Sequence, residues 1–290
     1  MNDIIAIYEP LYRPGQKLAE PAFRPLRTDS NVHADWREFS LLVEMYRRGV
    51  HRQQPFTDLM SPKFRLKTGV GGAQFIEFVH ANSEADVCFI NPFPHIAYIS
   101  FNVWMQGEYA HPGLASRAQA LLDAAGVKLA IADMPRHGLR LLCYCNFWVG
   151  SERFWDTYVG GVLLPVAEFL ETHPESPISQ DVLSPTLHLE PAPFLPFIVE
   201  RLFSSFLSRP TRELTAKAHP MDPFKSCLNE FEKDIVASLK DEIDAADQAD
   251  LFSDALKNNM ALICGLWQRY NHAYYEHRPH PHSGKPLMSR

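Results

Sequence analysis

Short apolar runs alternate with amphipathic helical segments through the first 175 residues of this chain, and this alternation limits the folds open to it. "DIIAIY" (3–8) and "ADVCFIN" (85–91) are typical of buried strands. "ADWREFSLLVEMYRRG" (34–49) and "GGAQFIEFVHAN" (71–82) carry apolar residues at helical spacing. Strands that alternate with helices predict an α/β fold with a mainly parallel sheet flanked by helices.

The remainder of the chain changes character. A Pro-rich stretch near residues 173–196 precedes "FIVERLFSSFLS" and two longer helical segments, at 227–246 and 249–275. We therefore predict an α/β portion over 1–175, a mainly helical portion over 176–275 and a polar tail over 276–290. Residues 10–34 show no periodicity and are predicted to form a loop, whereas "GLRLLCYCNFWVGS" (138–151) is predicted to be a strand.

Charge and cysteine content limit the partners and the compartment. The formal net charge of -6 gives no basic footprint for a nucleic acid. Five cysteines in no paired framework suggest a reducing compartment. No window contains the 18 or more apolar residues of a membrane span, and the N-terminus lacks a basic signal-peptide region. We expect a cytoplasmic protein, with peripheral contact at the inner membrane left open.

Polar residues flank the strand at 85–91. Asn91 lies at its carboxyl end, where open α/β sheets collect ligands. Glu84 and Asp86 stand at its beginning and could hold a divalent cation through oxygen ligands if the strand is shorter. The alternative is structural, because Asp caps and Asn-Pro turns are common.

The segment "NVWMQGEYAHPG" (102–113) carries four polar residues in a predicted loop that leads into a helix. Asn102, Gln106, Glu108 and His111 are candidate substrate-binding or catalytic groups. Glu108 has the chemistry of a general base, and a helix N-terminus suits an anionic ligand. A plain helix entry, with His111 near the cap, is the structural alternative.

Two further segments carry candidates for sugar and phosphate binding. Asn146 and Trp155 place an amide near aromatic rings, a combination that suits a sugar or a nucleobase, although Trp155 at helical spacing also fits a core. Lys63 and Lys67, with Arg65 between them, could bind phosphate or form a solvated basic face.

The helix "FIVERLFSSFL" embeds Glu200 and Arg201 beside an apolar stripe. A charge this close to a core needs a partner, so the two form an ion pair or present an acid to a cleft. The tail histidines, His277, His280 and His282, could bind a metal or an anion, but their polar surroundings favour disorder.

Five segments together resemble bacterial glycosyltransferases of capsule and O-antigen gene clusters. In those enzymes a "wGvfSwKF…KTG" segment, a strand entering an Asn-Pro loop and a late "ERLF" helix occur in this order. The segments in this chain are "LMSPKFRLKTG", "ADVCFINPF", "NVWMQGEYAHPGL", "CNFWVGSERFWDTYV" and "VERLFSSFL". The resemblance covers about residues 35–207.

The resemblance implies a GT-A-like fold that binds a nucleotide-sugar donor and a glycan or lipid-linked glycan acceptor. It implies Mg²⁺ or Mn²⁺ held by an Asp-x-Asp motif, but the nearest match here is Glu84-Ala85-Asp86. This departure puts metal dependence in question, and Lys63 or Lys67 could neutralise the diphosphate instead. Glu108 is then the first candidate for the base that activates the acceptor, and Glu200 the second.

Two other functions stay open at the level of sequence. A metal-dependent hydrolase could use Glu108 with His111 and the tail histidines, although neither H-E-x-x-H nor G-x-S-x-G is present. A non-catalytic glycan-binding or scaffold protein would suit the degenerate acidic motif. The sequence leaves the donor sugar, the linkage and the oligomeric state undetermined.

Overall fold

A six-stranded mixed sheet forms the centre of the protein. The computed structural model describes residues 4–28, 33–186, 192–209 and 213–287. The strand order is β2-β1-β3-β5-β4-β8, and β5 alone runs antiparallel to its neighbours. These strands are β1 (Ile5–Leu11), β2 (Arg24–Arg27), β3 (Phe56–Leu59), β4 (Val87–Phe89), β5 (Trp148–Ser151) and β8 (Ala216–Ala218); β6 (Pro185–Thr186) and β7 (Ala192–Pro193) form a separate pair.

Helices cover both faces of this sheet, which confirms the predicted α/β class. Before β5 they are α1 (Glu38–Arg47), α2 (Phe64–Thr68), α3 (Gly72–Ala81), α4 (Val103–Ala110) and α5 (Leu114–Ala124). After β5 a continuous helical run contains α6 (Glu152–Phe154), a π-helical stretch (Trp155–Leu163) and α7 (Leu164–Thr172). The chain continues with α8 (Pro177–Leu183), α9 (Phe194–Leu207), α10 (Pro223–Ser226), α11 (Glu230–Ala249) and α12 (Asp254–Glu276).

The alternation of side chains along each strand supplies two separate cores. Cys88 of β4 points into a smaller core with Phe64 and Phe75, on the side of α2 and α3. Val87 and Phe89, its neighbours in the strand, point into the larger core on the opposite face. Strands that bury both faces read as continuous apolar runs, so "VCF" was recognisable from sequence.

Three local predictions were wrong for identifiable reasons. The predicted loop over 10–34 contains β2, a polar edge strand that lacks an apolar pattern. Asp35, which its place before the apolar pattern of 34–49 makes a plausible N-cap, does not cap α1; the cap position is Arg37, a non-glycine residue with a φ of 54°. The predicted strand over 138–151 pairs only at Trp148–Ser151, because Cys145 and Asn146 have positive φ values of 68° and 52° and turn the chain.

Most of the segment 102–113 is helical rather than a loop, because α4 spans Val103–Ala110. The Asn102 carboxamide accepts hydrogen bonds from the backbone N–H groups of Trp104 and Met105, and this cap starts α4. Gln106 and Glu108 therefore sit on different sides of a helix, which the loop prediction could not distinguish.

Residues 176–275 contain α8 to α12, and β8 from the same stretch joins the central sheet. β8 lies beside β4 in parallel register, with Lys217 opposite Cys88. None of the helices in the described ranges combines the length and the apolar character needed to cross a membrane.

Candidate functional site

A cavity of about 600 Å³ opens where the sheet brings several strand ends together. β1, β3 and β4 contribute the residues that follow their carboxyl ends, including Tyr12, Ser61 and Phe93. Because β5 is antiparallel, its entering segment reaches the same edge, with Tyr144, Cys145 and Asn146 in the wall. This is the edge at which open α/β sheets bind ligands, and the volume suits a metabolite-sized molecule.

Two lysines give one side of the cavity a positive character. Lys63 follows β3, and Lys67 lies one turn later in α2 with its Nζ 3.0 Å from Cys145 Sγ. The pKa of Lys67 is raised: burial lowers it, and the hydrogen bond to Cys145 together with the Glu200 and Glu38 carboxylates raises it. Burial also raises the pKa of Cys145 to about 12, so its thiol is neutral at pH 7 and Glu200 supplies the negative charge near Lys67.

The turn at Cys145 and Asn146 aims polar groups at this region. The Cys145 N–H donates to Glu200 Oε1 at 2.8 Å, which fixes the Glu200 carboxylate against the turn. The buried Oδ1 of Asn146 accepts no hydrogen bond from the described residues. An unpartnered amide oxygen in a cavity wall is available to a donor on a ligand.

Arg201 connects α4 and α9 at the cavity through its hydrogen bonds. Its guanidinium donates to the carbonyls of Val103 and Phe197 and to Gln106 Oε1. Its Nη1 lies 3.6 Å from Glu200 Oε2, and the side chain is 2% exposed. The sequence-based expectation that the charges embedded in α9 need partners is therefore met, and the same residues face the cavity.

An aromatic wall completes this side. His111 stacks on Phe197 with ring centroids 3.9 Å apart, and its Nδ1 lies 3.3 Å from Thr186 Oγ1. Phe93 and Tyr144 also line the cavity, and the Tyr144 hydroxyl has no hydrogen-bond partner among the described residues. Rings beside polar atoms provide surfaces for sugar or base rings.

The described part of the tail lines the cavity, contrary to the expectation of disorder. His280 and His282 are half-buried and line the cavity, with the His282 ring 5.4 Å from that of Phe93. Burial lowers the pKa of His282 to about 4, with further lowering from His280 and Lys67. The Leu287 N–H donates to the Tyr275 carbonyl at 2.9 Å, which holds the tail against α12.

Behind the tail lies a buried polar network. His95 Nδ1 is 2.8 Å from Ser226 Oγ, and its Nε2 is 4.0 Å from Glu232 Oε2. Glu232 accepts hydrogen bonds from Trp267 Nε1, Asn271 Nδ2 and the Leu228 N–H. Neither His95 nor Glu232 was predicted from sequence, since one lies in an apolar turn and the other on a charged helix.

The cavity gathers seven of the predicted site residues. They are Lys63, Lys67, Gln106, His111, Asn146, Glu200 and Arg201. These residues are 138 positions apart at their extremes, from Lys63 to Arg201 (201 − 63), and the fold brings them to one edge of the sheet.

Four other candidates have structural contacts outside the cavity wall. Glu108 is exposed and accepts from the Gly113 and Ala115 N–H groups, where it caps α5. Asn102 caps α4 and donates to the Met134 carbonyl. Asn91 Oδ1 accepts from the Phe93 N–H in the turn after β4, and Trp155 is buried in the larger core.

The candidate metal ligands lie at the beginning of β4, away from the cavity wall. Asp86 accepts from the Thr215 N–H and hydroxyl, and Glu84 lies 3.9 Å from Lys217 Nζ. Within the described ranges, no three side chains of His, Cys, Asp or Glu converge closely enough to hold a metal ion. The contacts of Asp86 and Glu84 thus tie β4 to β8.

Replacing Trp155 with phenylalanine should lower the free energy of unfolding by about 1–3 kcal/mol, because Trp155 Nε1 donates to the buried Thr57 carbonyl at 2.8 Å. Chemical denaturation measures this change. We expect ligand binding in the cavity to be unaffected. A stable Trp155→Phe protein that lost such binding would contradict the core assignment.

Comparisons with protein-family models, with curated proteins and with solved structures give no significant match to this chain.

Proposed function

We propose that this protein is a glycosyltransferase of the GT-A-like kind, which moves a sugar from a nucleotide-sugar donor to a glycan or lipid-linked glycan acceptor. The observation that carries the proposal is the pairing of Lys63 and Lys67 with a ring-lined cavity at the carboxyl edge of a mainly parallel sheet. Such a cavity matches a ligand that combines a diphosphate with rings. The proposal retains the cytoplasmic location expected from sequence.

The lysine side of the cavity suits the leaving diphosphate. Lys67 is held charged near Glu200, and Lys63 is exposed at the same wall, so the two can meet phosphate oxygens without rearranging the sheet. Positioned cations stabilise the charge that develops on a departing phosphate. The tail histidines His280 and His282 line the same cavity.

The Glu200 carboxylate suits the sugar. It is 24% exposed on the cavity wall and fixed by Cys145 and Arg201. A fixed carboxylate can accept hydrogen bonds from sugar hydroxyls and oppose the positive charge of an oxocarbenium-like transition state. Glu108, the first candidate for the base, is occupied at the N-terminus of α5 instead.

The proposal includes Mg²⁺ or Mn²⁺, but it assigns no residues as ligands of the metal ion. Asp86 and Glu84 do not line the cavity, so they are poorly placed to bridge a metal to a diphosphate bound there. Glu38, Glu200 and Glu232 are the carboxylates that the described cavity wall offers.

A thermal-shift screen against UDP, GDP, CMP and dTDP, each with and without Mn²⁺, tests the proposal. A ligand at one hundred times its Kd should stabilise the protein by about 2.7 kcal/mol. A raised melting temperature with one nucleotide supports the donor site and names its class. No shift with any of them at millimolar concentration would overturn the proposal.

Lys67→Gln should weaken binding of that nucleotide by about 10- to 100-fold, because it removes one charge-assisted contact. Titration calorimetry measures the change. Lys217→Gln is the matched control, since Lys217 is half-exposed beside Glu84 and does not line the cavity. Equal affinities of the two variants would place the diphosphate elsewhere.

A further inference from the structure

His95 lies in the short 3-10 helix that follows the carboxyl end of β4, and its ring orientation is fixed. Nδ1 lies 2.8 Å from Ser226 Oγ, while the Ser226 hydroxyl donates to the Pro223 carbonyl at 2.8 Å. With the hydroxyl hydrogen used in α10, Nδ1 must be the donor to Ser226 Oγ. This assignment leaves Nε2 as an unprotonated acceptor.

Nε2 faces a second acceptor. Glu232 Oε2 is 4.0 Å from it, too far for a direct hydrogen bond. Oε1 of Glu232 accepts from Trp267 and Asn271, and Oε2 from the Leu228 N–H, so three donors fix the carboxylate in place. A ligand hydroxyl can donate its one proton to Nε2, whereas a water molecule can donate to Nε2 and Oε2 at once.

The pair lies in the wall of the cavity rather than behind it. His95, Glu232 and Trp267 all line it, and the Phe93 ring centroid is 6.3 Å from that of His95. Aromatic rings beside a hydroxyl-binding pair form a place for a sugar ring. The tail residue His282 lies beside this part of the cavity, with its ring 5.4 Å from that of Phe93.

We infer that His95 Nε2 is the base that takes the proton from the attacking hydroxyl, with Glu232 holding the imidazolium that results. The inference rests on the proposed glycosyl transfer. The hydroxyl oxygen bonds to the anomeric carbon of the donor sugar, the bond from that carbon to the phosphate oxygen breaks, and the nucleoside diphosphate leaves with the electron pair. The hydroxyl proton moves to Nε2.

The surroundings of His95 favour this role over the alternatives. Glu200 has one oxygen bound by the Cys145 N–H and the other beside Arg201, so it is less free to accept a proton. The titratable groups that face His95 are Glu232 from α11 and His282 from the tail, with Lys67 and His280 beyond. Burial lowers the pKa of His95 and Glu232 opposes this, so the neutral, basic form is present at pH 7.

Donor hydrolysis provides a test without a known acceptor, because water can occupy the hydroxyl position. The probes are the UDP-, GDP-, CMP- and dTDP-linked sugars, with release of the nucleotide as the readout. His95→Gln should reduce release by at least 100-fold, the usual contribution of a general base, while nucleotide binding in the thermal-shift assay is unchanged. Ser226→Ala, which keeps the imidazole but frees its ring, should reduce release by about tenfold.

The pH profile separates a base from a structural residue. In the unmodified protein, release should be constant from about pH 8 to pH 6.5 and fall below that, because the lowered pKa keeps His95 neutral in this window. Long-range ¹H–¹⁵N spectra of histidine-labelled protein, assigned by comparison with His95→Gln, should show the Nδ1–H form at pH 7.

These experiments can separate a failure of the proposed role of His95 from a failure of the proposed transferase activity. Nucleotide binding and release that survive in His95→Gln, or an Nε2–H form at pH 7, would overturn the role of His95 and leave the transferase proposal standing. An unmodified protein that neither binds nor cleaves any of the donors would overturn both.

Discussion

Arg201→Met is expected to lower the free energy of unfolding by about 3–5 kcal/mol, the usual cost of removing one member of a buried charge network. The guanidinium satisfies the carbonyls of Val103 and Phe197 and the side chain of Gln106. Methionine fills a similar volume but leaves these acceptors without donors, and Glu200 loses its cationic neighbour. The melting temperature should fall by roughly 10 °C.

Arg47→Met is the matched control. Arg47 makes two hydrogen bonds to the Glu171 carboxylate, at 2.8 and 2.6 Å, but its side chain is 36% exposed. An exposed pair of this kind contributes less than about 1 kcal/mol. If the two variants unfold at the same denaturant concentration, the network around Arg201 does not stabilise the site as we propose.

Asp58→Asn should instead raise the free energy of unfolding at pH 7 by roughly 1–3 kcal/mol, because an amide cannot ionise and the linkage cost of the raised carboxyl pKa disappears. Asp58 lies on the central strand β3 and is fully buried. Neither carboxylate oxygen has a partner of good hydrogen-bond geometry among the described residues. Burial raises the pKa of Asp58 well above its usual value, against a weaker lowering by the Leu59 N–H.

The pH dependence follows from the direction of this shift. Because the folded-state pKa is raised, protonation favours the folded protein, and stability is lost as the pH rises from the unfolded-state pKa, about 4, toward the folded-state pKa. Asp58→Asn removes this loss, so its advantage should vanish near pH 4. Denaturant titrations at pH 4 and pH 7 measure both values.

Glu9→Gln provides the contrast on the neighbouring strand. Glu9 is equally buried, but its carboxylate accepts from the Ala19 and Glu20 N–H groups at 2.7 and 3.0 Å. An amide nitrogen there would meet a donor, so Glu9→Gln should destabilise the protein. An Asp58→Asn protein that is destabilised to the same extent would show that Asp58 is paired in solution.

The sequence allowed the layers of the fold to be predicted, but not how its strands end. Apolar runs such as "VCF" and helical spacing in α1 and α9 report burial directly, so the α/β class followed from them. The turn at Cys145 and Asn146 left no such signal, because neither residue is a glycine and the run around them is apolar. Periodicity detects which face is buried, whereas a single pair of dihedral angles decides where a strand stops.

The site was predictable in part for a similar reason. Lys63, Lys67, Glu200 and Arg201 stood out because charges near apolar segments need an explanation. Glu108 was the first candidate for the base, but in the structure it accepts from the Gly113 N–H and caps a helix. A carboxylate near a glycine looks the same in sequence whether it caps a helix or faces a ligand. His95 and Glu232 lie 137 positions apart in the sequence (232 − 95). They come within 4.0 Å of each other only because α11 packs against the turn after β4.

The pairing of β8 with β4 also sets the order in which the protein can mature during synthesis. The first 175 residues leave the ribosome with one edge of the sheet, at β4, still open, since the strand that covers it comes from residues 216–218. An open strand edge is a site of unwanted association. About forty further residues must emerge before that edge closes (216 − 175 = 41). During this interval the edge of β4 is free to pair with a strand of another chain.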